Sequence, residues 1–167
     1  MRRADREVKD IHEILQIVDR AKILRLGLMD EEYPYIVPMH YGYEYAEDSR
    51  ELLFYLHGAK EGRKLDLIRK DPKACIELDC DIELISGGDE PCKYGSAYAS
   101  VIGRGRVEVV EEEREKIKGL RLLMKNQTGR EFEINGRMAA SVAVLKVRLS
   151  EFTAKARPKK QPPAIRS

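Results

Sequence analysis

Residues 55–72, YLHGAKEGRKLDLIRKDP, contain the end of an apolar strand followed by the start of a helix. The strand run LLFYL ends at His57, and a turn of small residues follows it. A helix is predicted over about residues 61–70. It is expected to end at the Asp-Pro pair that comes next, because the residue before a proline disfavours helical backbone. The chain thus changes from strand to helix at this junction, and the residue types found there suggest a ligand-binding site.

The junction combines small residues with cationic side chains, namely His57, Gly58, Ala59, Gly62, Arg63 and Lys64. Backbone N–H groups at a glycine-rich turn and a helix start can hold a phosphate. Cations in a first helical turn oppose the helix dipole, which favours a bound anion beside them. A plain turn with solvated basic side chains fits the same residues, and spacing alone leaves both interpretations open. The stretch has neither the Walker order nor the dinucleotide G-x-G-x-x-G.

Apolar periodicity along the rest of the chain predicts mainly strands. Six strands are expected, at residues 22–29, 35–45, 51–57, 74–80, 98–110 and 143–155. Pro38 interrupts the second, which indicates an edge, a bulge or an opening of the backbone. Amphipathic helices are expected at 5–19, with Asp5 as N-cap, at about 61–70 and at 111–127.

The connections read as hairpin turns rather than repeated βαβ units. The predicted fold class is therefore mainly β with helices (α+β), an antiparallel sheet closed into a small barrel with helices over its ends. The chain of 167 residues is long enough for one domain with a core. We expect that domain at 1–155, followed by a basic, proline-containing disordered tail at 156–167.

Composition narrows the classes of partner. Lys and Arg total 31 against 29 Asp and Glu, so the net charge is only +2. Such a small net charge does not attract the protein strongly to nucleic acid or to membranes. No apolar run approaches the length of a membrane span, and the charged N-terminus lacks the apolar segment of a secretory signal, so a cytoplasmic location is expected.

Cysteine spacing argues against a structural metal. Cys75, Cys80 and Cys92 do not form paired C-x2-C hooks, and no metal site is predicted. Cys75 and Cys80 are expected on opposite faces of a strand, both buried or half-buried, with Cys92 exposed in a loop. In VIGRGRVE, residues 101–108, the glycines fit a strand that bends, and Arg104 and Arg106 share one face.

Four stretches, in this order, resemble the pyridoxamine 5'-phosphate oxidase-like, FMN-binding split-barrel family. They are RLGLMDEEYPYIVPMHYGYEY, LLFYLHGAKEGRKLDLIRKDPKACIELD, YASVIGRGRVEVVEEEREKIKGLRLLMKNQTG and VLKVRLSEFTAK. Within the family, the sequence is most similar to the nitroimidazole-resistance (Nim-type) branch. The resemblance runs from about Asp5 to Lys155 and implies a homodimer of split β-barrels with two FMN molecules at the subunit interface.

The resemblance also implies which residues contact FMN. Flavin-ring contacts are expected from Val37, Pro38, Met39 and His40; ribityl and phosphate contacts from His57, Gly58, Ala59, Arg63 and Lys64; and further contacts, from either subunit, from Ser100 and Val101. A phosphate would give the cations of the junction their missing partner. The sequence departs from the branch at His40, where a smaller polar residue is usual, and at Ala154, where glycine is usual.

Three functions follow from these features. The first is an FMN-dependent oxidoreductase acting on a small molecule, with nitroimidazoles and other nitroaromatics as candidate substrates and His57 as catalytic donor or acid. The alternative is a non-catalytic flavin- or haem-binding module of the same fold. A nucleic-acid-binding protein using Arg104, Arg106 and the basic tail is a third hypothesis, and the balanced net charge argues against it.

Overall fold

Eight strands and four helices make up the fold of residues 4–158, the part of the chain that this computed structural model describes. The strands are β1 (Glu7–Val8), β2 (Leu24–Leu28), β3 (Tyr35–Met39), β4 (Tyr41–Ala46), β5 (Glu51–Gly58), β6 (Lys73–Ile85), β7 (Gly95–Val109) and β8 (Ala143–Arg157). The helices are α1 (Ile11–Arg20), α2 (Arg63–Lys70), α3 (Glu113–Thr128) and α4 (Gly136–Ala140). The six predicted strand regions are all present, and β1 and α4 were not predicted.

All strand pairs are antiparallel and follow the order β3-β2-β6-β7-β8-β5-β4, with β1 added on β8. The two strands at the ends of this order, β3 and β4, are consecutive in the chain and separated only by His40. The sheet must therefore curl until its two edges lie close together. The predicted α+β class and antiparallel split β-barrel are confirmed, whereas the expected closed sheet is wrong, because the ladder stays open between β3 and β4.

The predicted strand at 35–45 is two strands. Met39 pairs with Leu24 of β2, and Tyr41 pairs with Leu56 of β5, so the chain crosses from one edge of the sheet to the other at His40. The break thus falls at His40 rather than at Pro38. Pro38 lies within β3, an edge strand, which is where a residue without an N–H is tolerated.

The N-terminal helix begins later than its apolar pattern suggested. Asp10, not Asp5, is the N-cap of α1, and its carboxylate accepts hydrogen bonds from the backbone N–H groups of His12 (2.7 Å) and Glu13 (3.2 Å). The residues before it form a short 3-10 turn and then β1, which pairs with the end of β8. Tertiary pairing therefore overrides the helical periodicity in this segment.

Helix α3 lies directly against β4, and a glycine allows the contact. A Cβ added to Gly42 would lie 2.7 Å from Leu123 Cα and closer still to backbone atoms of Leu122 and Leu123. Nearby, the side-chain amides of Asn126 and Gln127 donate to the Tyr41 carbonyl at 2.9 and 3.0 Å. The helix is thus fixed to the strand that follows His40.

The C-terminal strand extends slightly beyond the predicted domain boundary. β8 continues to Arg157, so the first two residues of the expected tail at 156–167 belong to the sheet. Residues 159–167 lie outside the described part of the chain, and the tail stays a prediction. Among residues 4–158, no helix combines the length and the apolar character needed to cross a membrane.

Candidate functional site

The junction between β5 and α2 is where the chain leaves the barrel wall. Residues 52–56 of β5 are buried, and His57 is the first exposed residue of the strand. After Gly58 the chain turns and enters α2 with Gly62 as N-cap, in a conformation (φ 122°) that favours glycine. No side chain caps this helix start. Its first backbone N–H groups therefore have no side-chain cap among the described residues and could bind a ligand.

Three cationic or ionisable side chains meet beside this helix start: His40, His57 and Lys64. Burial lowers the pKa of His57, and the positive charges of His40 and Lys64 lower it further. Burial also lowers the pKa of Lys64, whose ammonium lies 3.5 Å from Met39 Sδ. The structure therefore brings together residues from β3, the β3–β4 link, β5 and α2.

This group, which we call the cationic cluster, has no acidic partner. Within residues 4–158, no carboxylate lies within 4.0 Å of the charged nitrogens of His40, His57 or Lys64. Nδ1 of the His40 imidazole lies 3.2 Å from the backbone carbonyl oxygen of Lys22. Partly desolvated positive charge without compensation favours an anion at this place.

Arg63 was expected from the sequence to lack an anionic partner, but in the structure it has one. Its Nε and Nη2 lie 2.7 and 2.5 Å from Asp30 Oδ2, and this carboxylate raises the pKa of Arg63. The expectation that Arg63 lacks an anionic partner is therefore wrong for the protein alone. The sequence pattern gave no sign of this pair, since the contact between Asp30 and Arg63 spans 33 positions.

The predicted flavin-ring residues lie on or beside the open edge of the barrel. Pro38 and His40 are exposed, Val37 is half-buried, and Met39 turns into the core with 8% exposure. β3 is an end strand of the sheet, so one of its edges has no neighbouring strand. Such an edge leaves backbone N–H and C=O groups for a ligand.

The turn residues after β5 are equally accessible. Ala59 is exposed and Gly58 is half-buried. A Cβ on Gly58 would lie 2.8 Å from Lys64 Nζ. The absence of a side chain at Gly58 therefore allows the Lys64 ammonium to lie beside the end of β5. The ribityl and phosphate residues predicted from the sequence thus lie together in the fold.

Ser100 and Val101 lie elsewhere. Ser100 pairs with Lys155 near the C-terminal end of β8, whereas His57 pairs with Val144 near its start. The Val101 side chain is fully buried in the core, so only its backbone could contact a flavin. Within one chain, these two residues are not brought together with the cationic cluster.

A cavity of about 540 Å³ lies on the outer face of the sheet, away from the cationic cluster. The residues Ile36, Gly27, Cys75 and Arg104 lie side by side across β3, β2, β6 and β7 and line it. Its exposed apolar side chains include Ile36 (63% exposed) and, at its end, Met29 (60%). We call this surface the outer apolar face.

The cysteines agree only in part with their prediction. Cys75 is exposed on the outer apolar face, contrary to the expected burial, whereas Cys80 is half-buried and packs against the core, so the two do lie on opposite faces. Cys92 is exposed as expected, and all three are free thiols. The residues described here contain no group of three or more His, Cys, Asp or Glu that could hold a metal ion.

An open antiparallel barrel, with His40, His57 and Lys64 near a strand-to-helix junction, defines a split-barrel protein. Residues 10–156 match the family described as "Pyridoxamine 5'-phosphate oxidase", and the chain belongs to that family. A search of curated proteins gives no match.

Solved structures give further similarities. A candidate 5-nitroimidazole antibiotic resistance protein from Bacteroides thetaiotaomicron VPI-5482 is 29% identical, with TM-score 0.75 over 89% of this chain and 85% of that one. A flavocytochrome from Azotobacter vinelandii is 20% identical, with TM-score 0.75 over 95% and 72%. An FAD- and haem-binding protein from Mycobacterium smegmatis is 14% identical, with TM-score 0.75 over 95% and 77%. The last two similarities show the fold alone.

Proposed function

We propose that the protein is a homodimeric, FMN-dependent oxidoreductase whose cationic cluster binds the FMN phosphate. The single observation that carries the proposal is this cluster, where His40, His57 and Lys64 lie near a helix start without a side-chain cap, and no carboxylate of residues 4–158 pairs with them. Membership of the pyridoxamine 5'-phosphate oxidase family supports FMN as the source of the anion.

Each element of the junction has a separate role in this proposal. The ammonium of Lys64 and the free N–H groups of α2 bind the phosphate, because both are donors in a partly desolvated place. Gly58 and Ala59 let the ribityl chain approach the backbone. The edge of β3 at Val37, Pro38 and Met39 orients the ring, and the buried barrel wall behind it excludes water.

The flavin supplies the redox chemistry when it is bound, and the protein supplies position and protons. His57 is the proposed catalytic residue, because it is exposed at the strand end next to the phosphate site. In the protein without FMN, burial lowers the pKa of His57, and the charges of His40 and Lys64 lower it further; a bound phosphate would oppose the effect of these charges. The imidazole can accept a proton at one ring nitrogen and donate one from the other.

A second copy of the chain completes the site in this proposal. Ser100 and the exposed Ile102 alternate with the buried Val101, so both side chains point to the outer side of β7, toward the outer apolar face. Dimerisation through this face would bring the partner's copy of Ser100 toward the flavin and cover exposed apolar surface. The proposed location is cytoplasmic, and the proposed domain is residues 1–155 with the basic tail after it.

We propose a small nitroaromatic compound as the substrate class. The protein from Bacteroides thetaiotaomicron, which is described as a candidate for 5-nitroimidazole resistance, is the similar structure that favours it. A flavin- or haem-binding protein without turnover is the second candidate. The two similar structures described as a flavocytochrome and as an FAD- and haem-binding protein favour it, since they share this fold.

The visible absorption spectrum tests cofactor binding directly. We expect paired flavin bands that stay with the protein after FMN is added and the excess is removed. Lys64→Gln should lose most of this FMN, whereas Lys60→Gln, on the exposed turn of the same junction, should keep it. A protein that retains no FMN would contradict the proposal.

Turnover separates the enzyme from the binding module. The FMN-loaded protein should reduce a nitroimidazole when a chemical or enzymatic reductant supplies electrons. His57→Ala should lower turnover per bound FMN, because the side chain is proposed to act on protons as well as to lie beside the phosphate. Unchanged turnover at normal FMN content would remove His57 from the reaction, and no turnover in the unchanged protein would favour the binding module.

A further inference from the structure

The carboxylate of Asp30 holds Arg63 at the edge of the proposed anion site. Asp30 lies two residues after the end of β2, and its side chain is only 13% exposed, whereas that of Arg63 is 67% exposed. Both Nε and Nη2 of Arg63 reach the same carboxylate oxygen, at 2.7 and 2.5 Å. Arg63 is the first residue of α2, so the ion pair is one residue from Lys64.

The charges at the junction are therefore compensated unevenly. Asp30 neutralises Arg63, and no other carboxylate among the described residues lies within 4.0 Å of its guanidinium. Lys64 and His57, by contrast, keep lowered pKa values that reflect burial without an anionic partner. A guanidinium fork matches a phosphate better than an ammonium does, so the most suitable phosphate donor is the one already occupied.

We propose that Asp30 is a positioning residue that competes with the bound phosphate for Arg63 and so sets the affinity for the cofactor. The proposal rests on the proposed function, because it needs an anion at the junction. In the empty protein, Arg63 is paired with Asp30; a phosphate must either draw it away or bind without it. Both routes make binding weaker than it would be with a free guanidinium.

The neighbouring carboxylate supplies a matched control. Glu31 lies in the same turn and contacts Lys70, at the far end of α2, at 3.8 Å. Glu31→Gln removes the same charge from the same turn and leaves the ion pair between Asp30 and Arg63 in place. Glu31 also acts on Arg63 through its charge, without a direct contact, so the long-range effect of a lower negative charge appears in both variants. Loss of the direct ion pair appears only when Asp30 changes.

The test is a double-mutant cycle on FMN binding. Dissociation constants of FMN for the unchanged protein, Asp30→Asn, Arg63→Gln and the double variant are measured by quenching of flavin fluorescence. We expect Asp30→Asn to bind FMN about tenfold more tightly, with a steeper dependence on salt, as for a coupled charged pair. The gain should vanish in the Arg63→Gln background, and Glu31→Gln should stay within about twofold of the unchanged protein.

Further variants exclude a purely structural role. Asp30→Glu keeps the carboxylate and should restore an affinity near that of the unchanged protein. Melting temperatures of the apo proteins show whether a change in affinity follows a loss of stability. Affinity that is unchanged or weaker in Asp30→Asn, or a gain that persists without Arg63, would overturn the role of Asp30 while the proposed function stands. Absence of FMN binding in all four proteins would overturn both.

Discussion

Replacing Gly42 with alanine should destabilise the protein strongly, because β4 and α3 touch through their backbones at this position. The new Cβ would lie 2.7 Å from Leu123 Cα, while ordinary van der Waals contact begins at 3.4 Å. The strand and the helix must separate by at least about 0.7 Å, since neither neighbour is the flexible end of a side chain.

The expected cost can be worked from the contacts that such a shift disturbs. Overpacking of a close-packed contact costs about 1–3 kcal/mol. The amide of Asn126 bonds the Tyr41 carbonyl in a buried place, and weakening it adds about 1 kcal/mol. The smaller entropy of alanine in the unfolded chain returns about 0.5 kcal/mol. The free energy of unfolding should therefore fall by about 3 kcal/mol, which lowers Tm by about 6–12 °C for a chain of this size.

Thermal melting followed by circular dichroism measures this effect, with Gly27→Ala as the control. Gly27 is also a strand glycine, but its added Cβ would lie 3.4 Å from the Cys75 carbonyl oxygen and 3.9 Å from Cys75 Cβ, which is ordinary contact. The control should melt within about 2 °C of the unchanged protein. Equal melting temperatures for the two variants would refute the backbone contact between β4 and α3.

Three further predictions concern the cap, the histidine and the outer apolar face. Asp10→Ala should lower the stability by about 1 kcal/mol in chemical denaturation, whereas Asp10→Asn, which can still cap α1, should not. The pKa of His57 is lowered in the folded apo protein, so the unfolded chain takes the proton first and stability falls as pH drops below about 6.5. Between pH 7.5 and 5.5, the melting temperature of His57→Asn should fall less than that of the unchanged protein. An equal fall in both proteins would contradict the lowered pKa of His57. Ile36→Glu, at a side chain that is 63% exposed, should convert the proposed dimer to monomer in sedimentation experiments without unfolding it. A dimer that persists would place the interface elsewhere.

The sequence predicted the strands well, because alternating side chains report directly on the two faces of a sheet. β8, for example, was expected at 143–155 and lies at Ala143–Arg157. The strand-to-helix junction was also predicted, since glycine and Asp-Pro act locally. What failed depends on partners that are distant in the chain. β1 has only two residues, and its pairing with Lys155 and Ala154 of β8 has no local signal.

The candidate site shows the same division. The residue types around His57 and Lys64 suggested an anion, and the structure places them close together, with no carboxylate paired to either among residues 4–158. The sequence could not show that Asp30 pairs with Arg63, because that contact depends on how β2 and α2 lie in the barrel. Nor could it show the crossing at His40, since the strands on either side of this residue are distinguished only by their different partners.

The position of β8 has a consequence for synthesis of the protein. This last strand pairs with β1, β5 and β7, so it joins two parts of the sheet that otherwise do not pair with each other. A growing chain can form the pairs β2–β3 and β4–β5 early, but it cannot join them before β8 has left the ribosome. Until then, apolar surfaces of both parts stay open to solvent and to other nascent chains. Assembly of the whole barrel should therefore wait until β8 is available, and a chain shortened within β8 should be captured by chaperones rather than accumulate as a partial barrel.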